Sequence, residues 1–421
     1  MKRFMKLVAL AAVGSVALAG CSGGDSSASG GDGPIKLSFW HGYTEADGKV
    51  LDGIVADFNA SQDRITIETT TKTWAVIGDT LLPALSANDG PDIVAMPAEN
   101  LPVYASKGAF QDLDSFYGDA KIQGASINEH AVAMGQVDGK HYGLPTGFVP
   151  LSVIYNKTLF ADAGIAEFPT TWDEWLEVSK QLTVDTNGDG TPEQFGLVLP
   201  DHATVGNGVW ASLFYGNGGT ITQDGQAVVN SDQNKETLKL WADAVINDKI
   251  SPTGVDGVGA DKLFSSGKAA MEIGGPWMSY VAQENNIDYA IAAVPAGPET
   301  AAASAIGISA AITAHAGDDQ KAAALEFFEY FYSKDVATQW SLGSGWPPLR
   351  TDITAADVSE NPVVHALTEI ADTARPLLPG VINTGDVFTA VDEATQKALA
   401  GGDPSALLDE AAGKIQATLD K

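Results

Sequence analysis

The sequence predicts an α/β protein built as two lobes, and two observations carry that expectation. From Ile35 onward strand-like and helix-like stretches alternate, and a β-α-β-α-β order implies a parallel sheet covered by helices. Roughly 385 residues follow the N-terminal segment, more than a single compact core usually holds. Element by element, Ile35–Trp40 alternates like a strand. Lys49–Asn59 places Val50, Leu51, Ile54, Val55 and Phe58 at helical spacing. Ile65–Thr71 returns to strand character, Ile77–Ala87 reads as helix, and Asp92–Met96 as a buried strand. Ligands on such sheets lie beyond the carboxyl ends of the strands. The loops after Trp40, around Trp74 and after Met96 are therefore candidate sites.

A second half starts near Tyr142. Ser152–Tyr155 reads as a strand. Thr171 can cap the next helix, with Glu174 three residues on as in a capping box. Trp172 and Trp175, at i and i+3, are expected to pack that helix on its lobe. Leu238–Val245, Asp261–Phe264, Gln320–Tyr332 and Val387–Ala400 read as further helices. Ala301–Ile312, rich in small residues, reads as buried strand and loop.

The N-terminus has the grammar of an export signal. Lys2, Arg3 and Lys6 precede an apolar run, Leu7–Leu18, and then Leu18-Ala19-Gly20-Cys21. The run is short for a bilayer span. Cys21 is the only cysteine in the chain, so no disulfide is expected. The segment resembles a bacterial lipoprotein signal, which implies residues 1–20 as signal peptide and Cys21 as the acylated mature N-terminus. Residues 21–34, mostly Ser, Gly and Asp, hold too little apolar surface to order themselves and read as a flexible tether. The expected location is the extracytoplasmic face of the cell membrane, by lipid anchor.

The formal charge is −30, and loss of the signal's three cations deepens it to −33. Such a surface argues against nucleic acid and against docking on anionic lipid. Nine tryptophans and few cations suit a neutral sugar. A pyranose offers apolar C–H faces to flat rings and a rim of hydroxyls to carboxylates, amides and histidine.

Several motifs fall in register along the chain. They are Phe39-Trp40-His41-Gly42, Gly90-Pro91-Asp92-Ile93-Val94, Asp138-Gly139-Lys140-His141-Tyr142-Gly143-Leu144-Pro145 and Tyr155-Asn156-Lys157. Phe168-Pro169-Thr170-Thr171-Trp172, Ser266-Gly267-Lys268-Ala269-Ala270-Met271 and Gly274-Gly275-Pro276-Trp277 follow. From Ile35 to the C-terminus the chain resembles the solute-binding proteins of ABC importers, nearest the maltose- and glycerol-phosphate-binding-like branch. The resemblance implies a two-lobed periplasmic-binding-protein-like fold, with a ligand cleft between lobes joined by hinge strands. It projects 35–145 with 296–345 as the N-terminal lobe, and 146–295 with 346–421 as the C-terminal lobe. It implies a monomeric binding protein that is not an enzyme, needs no cofactor, and delivers sugar to permease subunits. With no GxxxxGK[ST] loop in the chain, a separate ATPase would supply the energy.

Gly-Gly-Pro-Trp277 resembles the element that stacks on sugar in maltose-type members, and Trp346 matches an aromatic of the glycerol-phosphate branch. Trp74, Trp40, Trp210 and Phe148 are further ring candidates. His41, Glu45, Glu99, Asn100 and His202 are the polar ones, with Asp201 beside the last. Val149, Val381 and Ala75 depart from the ligand-binding residues of the named branches, so the sugar itself is left open. Asp185, Asn187, Asp189, Thr191 and Glu193 take positions 1, 3, 5, 7 and 9 of an EF-hand-like loop with Gly190 at 6. Position 12 is Gly196 rather than Glu, so the loop reads either as a structural calcium site or as an Asp/Asn/Gly-rich turn. Two other functions use the same anchor: a binder of another solute such as a polyol phosphate, and a surface glycoside hydrolase. The hydrolase needs two carboxylates at fixed separation, and no spacing singles out a pair.

Overall fold

The computed structural model describes residues 33–44, 46–118, 127–201 and 208–421. Cys21, Glu45 and His202 lie outside them. The opening alternation folds as strand Ile35–His41, helix Ala46–Ser61, strand Ile65–Thr71, helix Trp74–Ser86 and strand Ile93–Pro97. The first strand is central and pairs in parallel with the other two. Its Leu37 and Phe39 point into a core with Ile54, Phe58, Phe327 and Phe331. Beyond Ile93–Pro97 the sheet continues with Ala303–Ile312, antiparallel, and then Ala374–Pro376. Ala303–Ile312 is almost wholly buried, which explains its near-continuous apolar sequence.

A second, three-stranded sheet is antiparallel throughout, with Ser152–Asn156 between Met271–Gly274 and Tyr289–Ala292. Its core gathers Trp172, Trp175, Trp210, Phe214 and Trp241. The helix Trp172–Leu182 starts on the expected capping box: the Thr171 hydroxyl accepts from Glu174 N, and the Glu174 carboxylate accepts from Thr171 N at 3.2 Å. Trp175 is fully buried and meets Trp241 edge-on at 5.0 Å between ring centroids. The pair Trp172 and Trp175 thus belongs to the core.

Two strands run from one core to the other. Leu144–Pro150 contributes Leu144 and Phe148 to the first core and leads to Leu151 and Val153 in the second. Ala303–Ile312 starts in the second core with Ala303 and ends in the first with Ile312. They pair antiparallel, with a register shift between Ile308 and Ser309 that leaves Thr146 outside the ladder. Thr146 then serves other groups. Its carbonyl accepts from Trp340 Nε1 at 2.9 Å, and its hydroxyl shares a 2.8 Å hydrogen bond with Tyr43. Core membership changes again between Ala374, in the first, and Leu377, in the second. That change lies beyond the crossing expected near Trp346: Leu349 and Ala374 belong to the first core, and Ile353, Val358 and Val364 between them cluster with Ala337.

One buried carboxyl stands out. Glu272, on Met271–Gly274, is 2% exposed and its Oε2 has no hydrogen-bond partner. Burial, and next the neighbouring Asp261 carboxyl, push it well above the ordinary Glu value of 4.5. The folded form therefore keeps a proton that the unfolded form releases. Stability is whole below about 4.5 and falls as pH rises from there towards the raised folded value. Glu272→Gln should raise stability at neutral pH, because the amide is neutral at every pH and escapes this loss of about 1.4 kcal/mol per pH unit over that range. Denaturant melts across pH provide the check: the gain should vanish at acid pH, and a gain constant with pH would contradict the assignment.

Candidate functional site

Three helix ends bring three tryptophans to one place. Trp74 is the first residue of its helix, held by the Thr73 hydroxyl accepting from Val76 N at 3.3 Å. Trp277 opens the helix Trp277–Glu284, just past the carboxyl end of the strand Met271–Gly274. Trp346 follows Gly345, whose φ of +84° ends the helix Lys334–Ser344 in the left-handed conformation that glycine tolerates. All three rings line a cavity of about 550 Å³, within the range of small-molecule sites. Tyr280 adds a fourth ring. Trp277 packs against the second core, and Trp74 and Trp346 against the first. Rings from both cores therefore face one space.

The remaining lining is polar and nearly uncharged. Thr44, Ser279, Gln283, Ser344 and Asn361 offer hydroxyls and amides, and Asp47 is the one charged residue among the described lining. No Lys, Arg or His is among these residues. Asn361 also has a structural duty, since its Oδ1 accepts from Val363 N at 3.1 Å and Val364 N at 3.3 Å. A cavity of the same volume beside Val255 and Lys262 carries no aromatic ring. A third cavity of about 490 Å³ has the rings of Tyr155, Phe160 and Phe168, all on the second core, so tryptophans drawn from both cores distinguish the Trp-lined space.

The floor is rigid. Trp74 meets Tyr43 edge-on at 5.3 Å, and Tyr43 meets Trp340 at 5.3 Å. Burial drives the Tyr43 hydroxyl far above its ordinary range, so it stays neutral and bonded to Thr146. The residue freed by the strand irregularity thereby ties two aromatic supports beneath the cavity.

The other expected residues lie elsewhere. Trp210 is fully buried in the second core and donates from Nε1 to the Pro200 carbonyl at 2.9 Å. Its helix, Val209–Gly216, is apolar all round and so is enclosed rather than facing a cleft. Phe148 is a core residue of a strand buried on both faces. His41 is also fully buried, with Nε2 3.7 Å from Asp52 Oδ1; desolvation pulls its pKa down despite that carboxylate. Trp40 is partly buried under Lys72, whose Nζ sits 3.5 Å from the ring centroid. Glu99 and Asn100 form a short turn after Ile93–Pro97 and are not among the residues lining the cavity. Desolvation raises the Glu99 carboxyl. Asp201 is buried and accepts from Gly254 N at 2.8 Å and Val255 N at 2.9 Å.

Tyr280 and Gln283 escaped the sequence reading, although they repeat at three-residue steps from Trp277 along one helix. Asp47 escaped because it reads as an ordinary first-turn acid. In the Asp185 loop the carboxylates bind their own backbone. Asp185 accepts from Gly188 N at 2.7 Å and Gly190 N at 2.8 Å, and Glu193 accepts from Thr186 N at 2.8 Å. Among the described residues no group of three or more His, Cys, Asp or Glu is arranged to hold a metal.

Known proteins share this fold. The family described as bacterial extracellular solute-binding protein matches residues 53–366. The chain is 27% identical to the galactooligosaccharide-binding protein of Bacillus subtilis, over 97% of this chain and 96% of that one. It is 29% identical to the diacetylchitobiose-binding protein of Streptomyces coelicolor, over 67% of each. The solved structure of the cyclic alpha-maltosyl-1,6-maltose binding protein of Arthrobacter globiformis superposes with a TM-score of 0.82. That pair is 25% identical and covers 92% of this chain and 99% of the other. The fold is the two-lobed one of these binding proteins, and the chain belongs to the bacterial extracellular solute-binding protein family.

Proposed function

We propose that this protein captures a neutral di- or oligosaccharide in the tryptophan-lined cavity and delivers it to the permease of an ABC importer. One observation carries the reading: rings from both cores converge on a cavity whose described lining holds no cation. Flat rings cover the C–H faces of pyranoses, and the hydroxyls and amides of Thr44, Ser279, Gln283 and Ser344 match sugar hydroxyls. The sugars in the relatives' names support the same class. A ligand touching Trp277 on one side and Trp74 or Trp346 on the other has better contacts when the lobes close, and so shifts the protein to that state. Cys21, acylated, would hold the body at the membrane, with a separate ATPase supplying energy to the permease.

Calorimetry tests the ligand class. Maltotriose, a galactooligosaccharide, diacetylchitobiose and sn-glycerol 3-phosphate form the panel. At least one neutral sugar should bind with a Kd of ~1 μM or tighter, about 8 kcal/mol. Tight binding of the phosphate alone would overturn the reading. An anion site should show convergent Arg or Lys. Hydrolysis of a bound sugar would contradict it in another way, since Asp47 is a single carboxylate among the described lining where two are needed.

Substitution separates cleft from core. Trp277→Ala should weaken sugar binding about 30- to 900-fold, ~2–4 kcal/mol, with little change in melting temperature. Trp175→Ala should do the reverse, costing about 3–5 kcal/mol of stability and leaving the affinity of folded protein nearly unchanged. Equal effects on affinity would mean that ring burial does not distinguish the two roles. For the anchor, Cys21→Ser should release the protein from the membrane fraction of the native host. A variant that stays with membrane, beside a wild type without acyl mass, would remove the lipid from the account.

A further inference from the structure

Each cavity tryptophan lies against a glycine. A Cβ built on Gly42 would have only Trp74 ring carbons as its nearest neighbours, Cε2 at 2.6 Å and two others closer. One on Gly147 would meet Trp346 at Cε3 2.7 Å, Cδ2 2.9 Å and Cζ3 3.0 Å. One on Gly275 would meet Trp277 at Cε3 and Cη2, both 2.6 Å, with Cζ3 nearer still. Real Cβ contacts are not found this short, so any side chain there must displace the ring. None of these glycines has positive φ, so backbone conformation does not demand them. Close approach of the ring does.

We propose that Gly42, Gly147 and Gly275 are positioning residues for the stacking surfaces. Each lets the backbone lie flush against one side of a tryptophan, which fixes the ring and leaves its remaining surface to the cavity. The three sit on different parts of the fold. Gly42 follows the strand Ile35–His41, Gly147 belongs to the crossing strand Leu144–Pro150, and Gly275 follows Met271–Gly274. The spacing between the rings is thereby set by the two sheets rather than by side-chain rotamers. A methyl on any of the three pushes its ring towards the ligand or tilts it, so stacking on two sugar faces at once is lost. This role rests on the sugar-binding reading above.

The fold supplies its own comparator. Gly216, at the end of Val209–Gly216, lies under the core Trp172 in the same way, with a built Cβ at 2.8 Å from Cζ2. Gly42→Ala, Gly147→Ala, Gly275→Ala and Gly216→Ala are compared by calorimetry with whichever of maltotriose, diacetylchitobiose and the galactooligosaccharide binds the wild type most tightly. Melting temperatures and the indole N–H signals of the ligand-free proteins are recorded as well. Each of the first three variants should bind about tenfold or more weakly and shift the indole signal of its own tryptophan. Gly216→Ala should lower the melting temperature and leave affinity unchanged. In a Trp277→Ala background the added methyl of Gly275→Ala meets no ring, so affinity should change less than about twofold. Wild-type binding with three unaffected Ala variants, or with unmoved indole signals, overturns the proposal alone. A wild type that binds none of these three sugars overturns the sugar reading and with it the role given to these glycines.

Discussion

The antiparallel pairing of Leu144–Pro150 with Ala303–Ile312 is the constraint on which the rest of the molecule depends. Both strands begin in one core and end in the other, so their hydrogen bonds fix the two lobes to a common frame. The pairing is buried on nearly every residue, where an unmade backbone bond is costly. Its irregularity does further work at the site. Thr146, out of register, bonds to Tyr43 and Trp340, and Tyr43 in turn backs Trp74. Gly147, next in sequence, lies beneath Trp346. The floor of the cavity is thus a by-product of how two strands cross.

Much of this architecture was legible in the residues, for identifiable reasons. Val50, Leu51, Ile54, Val55 and Phe58 disclosed a helix because burial of one helical face imposes a period on the sequence. Thr171 and Glu174 disclosed a helix start because unpaired N–H groups require a cap. Trp277 and Trp346 stand at helix ends, where Pro and Gly mark the chain. What failed was the division of aromatics between core and cavity. A ring next to a strand end carries no local mark of its neighbours, and Phe148 is enclosed by chain that arrives from Ala303–Ile312. His41 misled for another reason: its polar ring sits fully buried between Phe39 and Tyr43, at an unfavourable place for its charged form. Trp210 did carry a clue, since a helix reading Val-Trp-Ala-Ser-Leu-Phe-Tyr-Gly has no polar face to present to solvent. The return of the chain to the first core had none, because the turns and helices between Trp346 and Ala374 are too short to impose a readable period.

Charge is distributed mostly away from the described lining of the cavity. The chain carries a formal charge of −30, yet a single acid is found among the described lining residues. Many other acids are engaged with exposed cations, as in Lys414 with Glu393 and Glu410 or Lys140 with Asp112. Such pairs contribute little to stability in water. They hold carboxylates on the outside, while aromatic surface and neutral donors face inward.

The contact between Gly42 and Trp74, repeated at Gly147 and Gly275, separates two kinds of information. What a stacking surface is made of is written at the tryptophan. Where that surface stands is written at a glycine far from it in the chain for two of the three rings. Replacing one ring by another flat ring, such as Tyr for Trp, alters reach and hydrogen bonding without moving the plane. Moving the plane needs coordinated changes in a backbone shared with a sheet. In the proposed role, a site of this construction is easy to retune among sugars of similar geometry and hard to convert to a ligand of a different thickness.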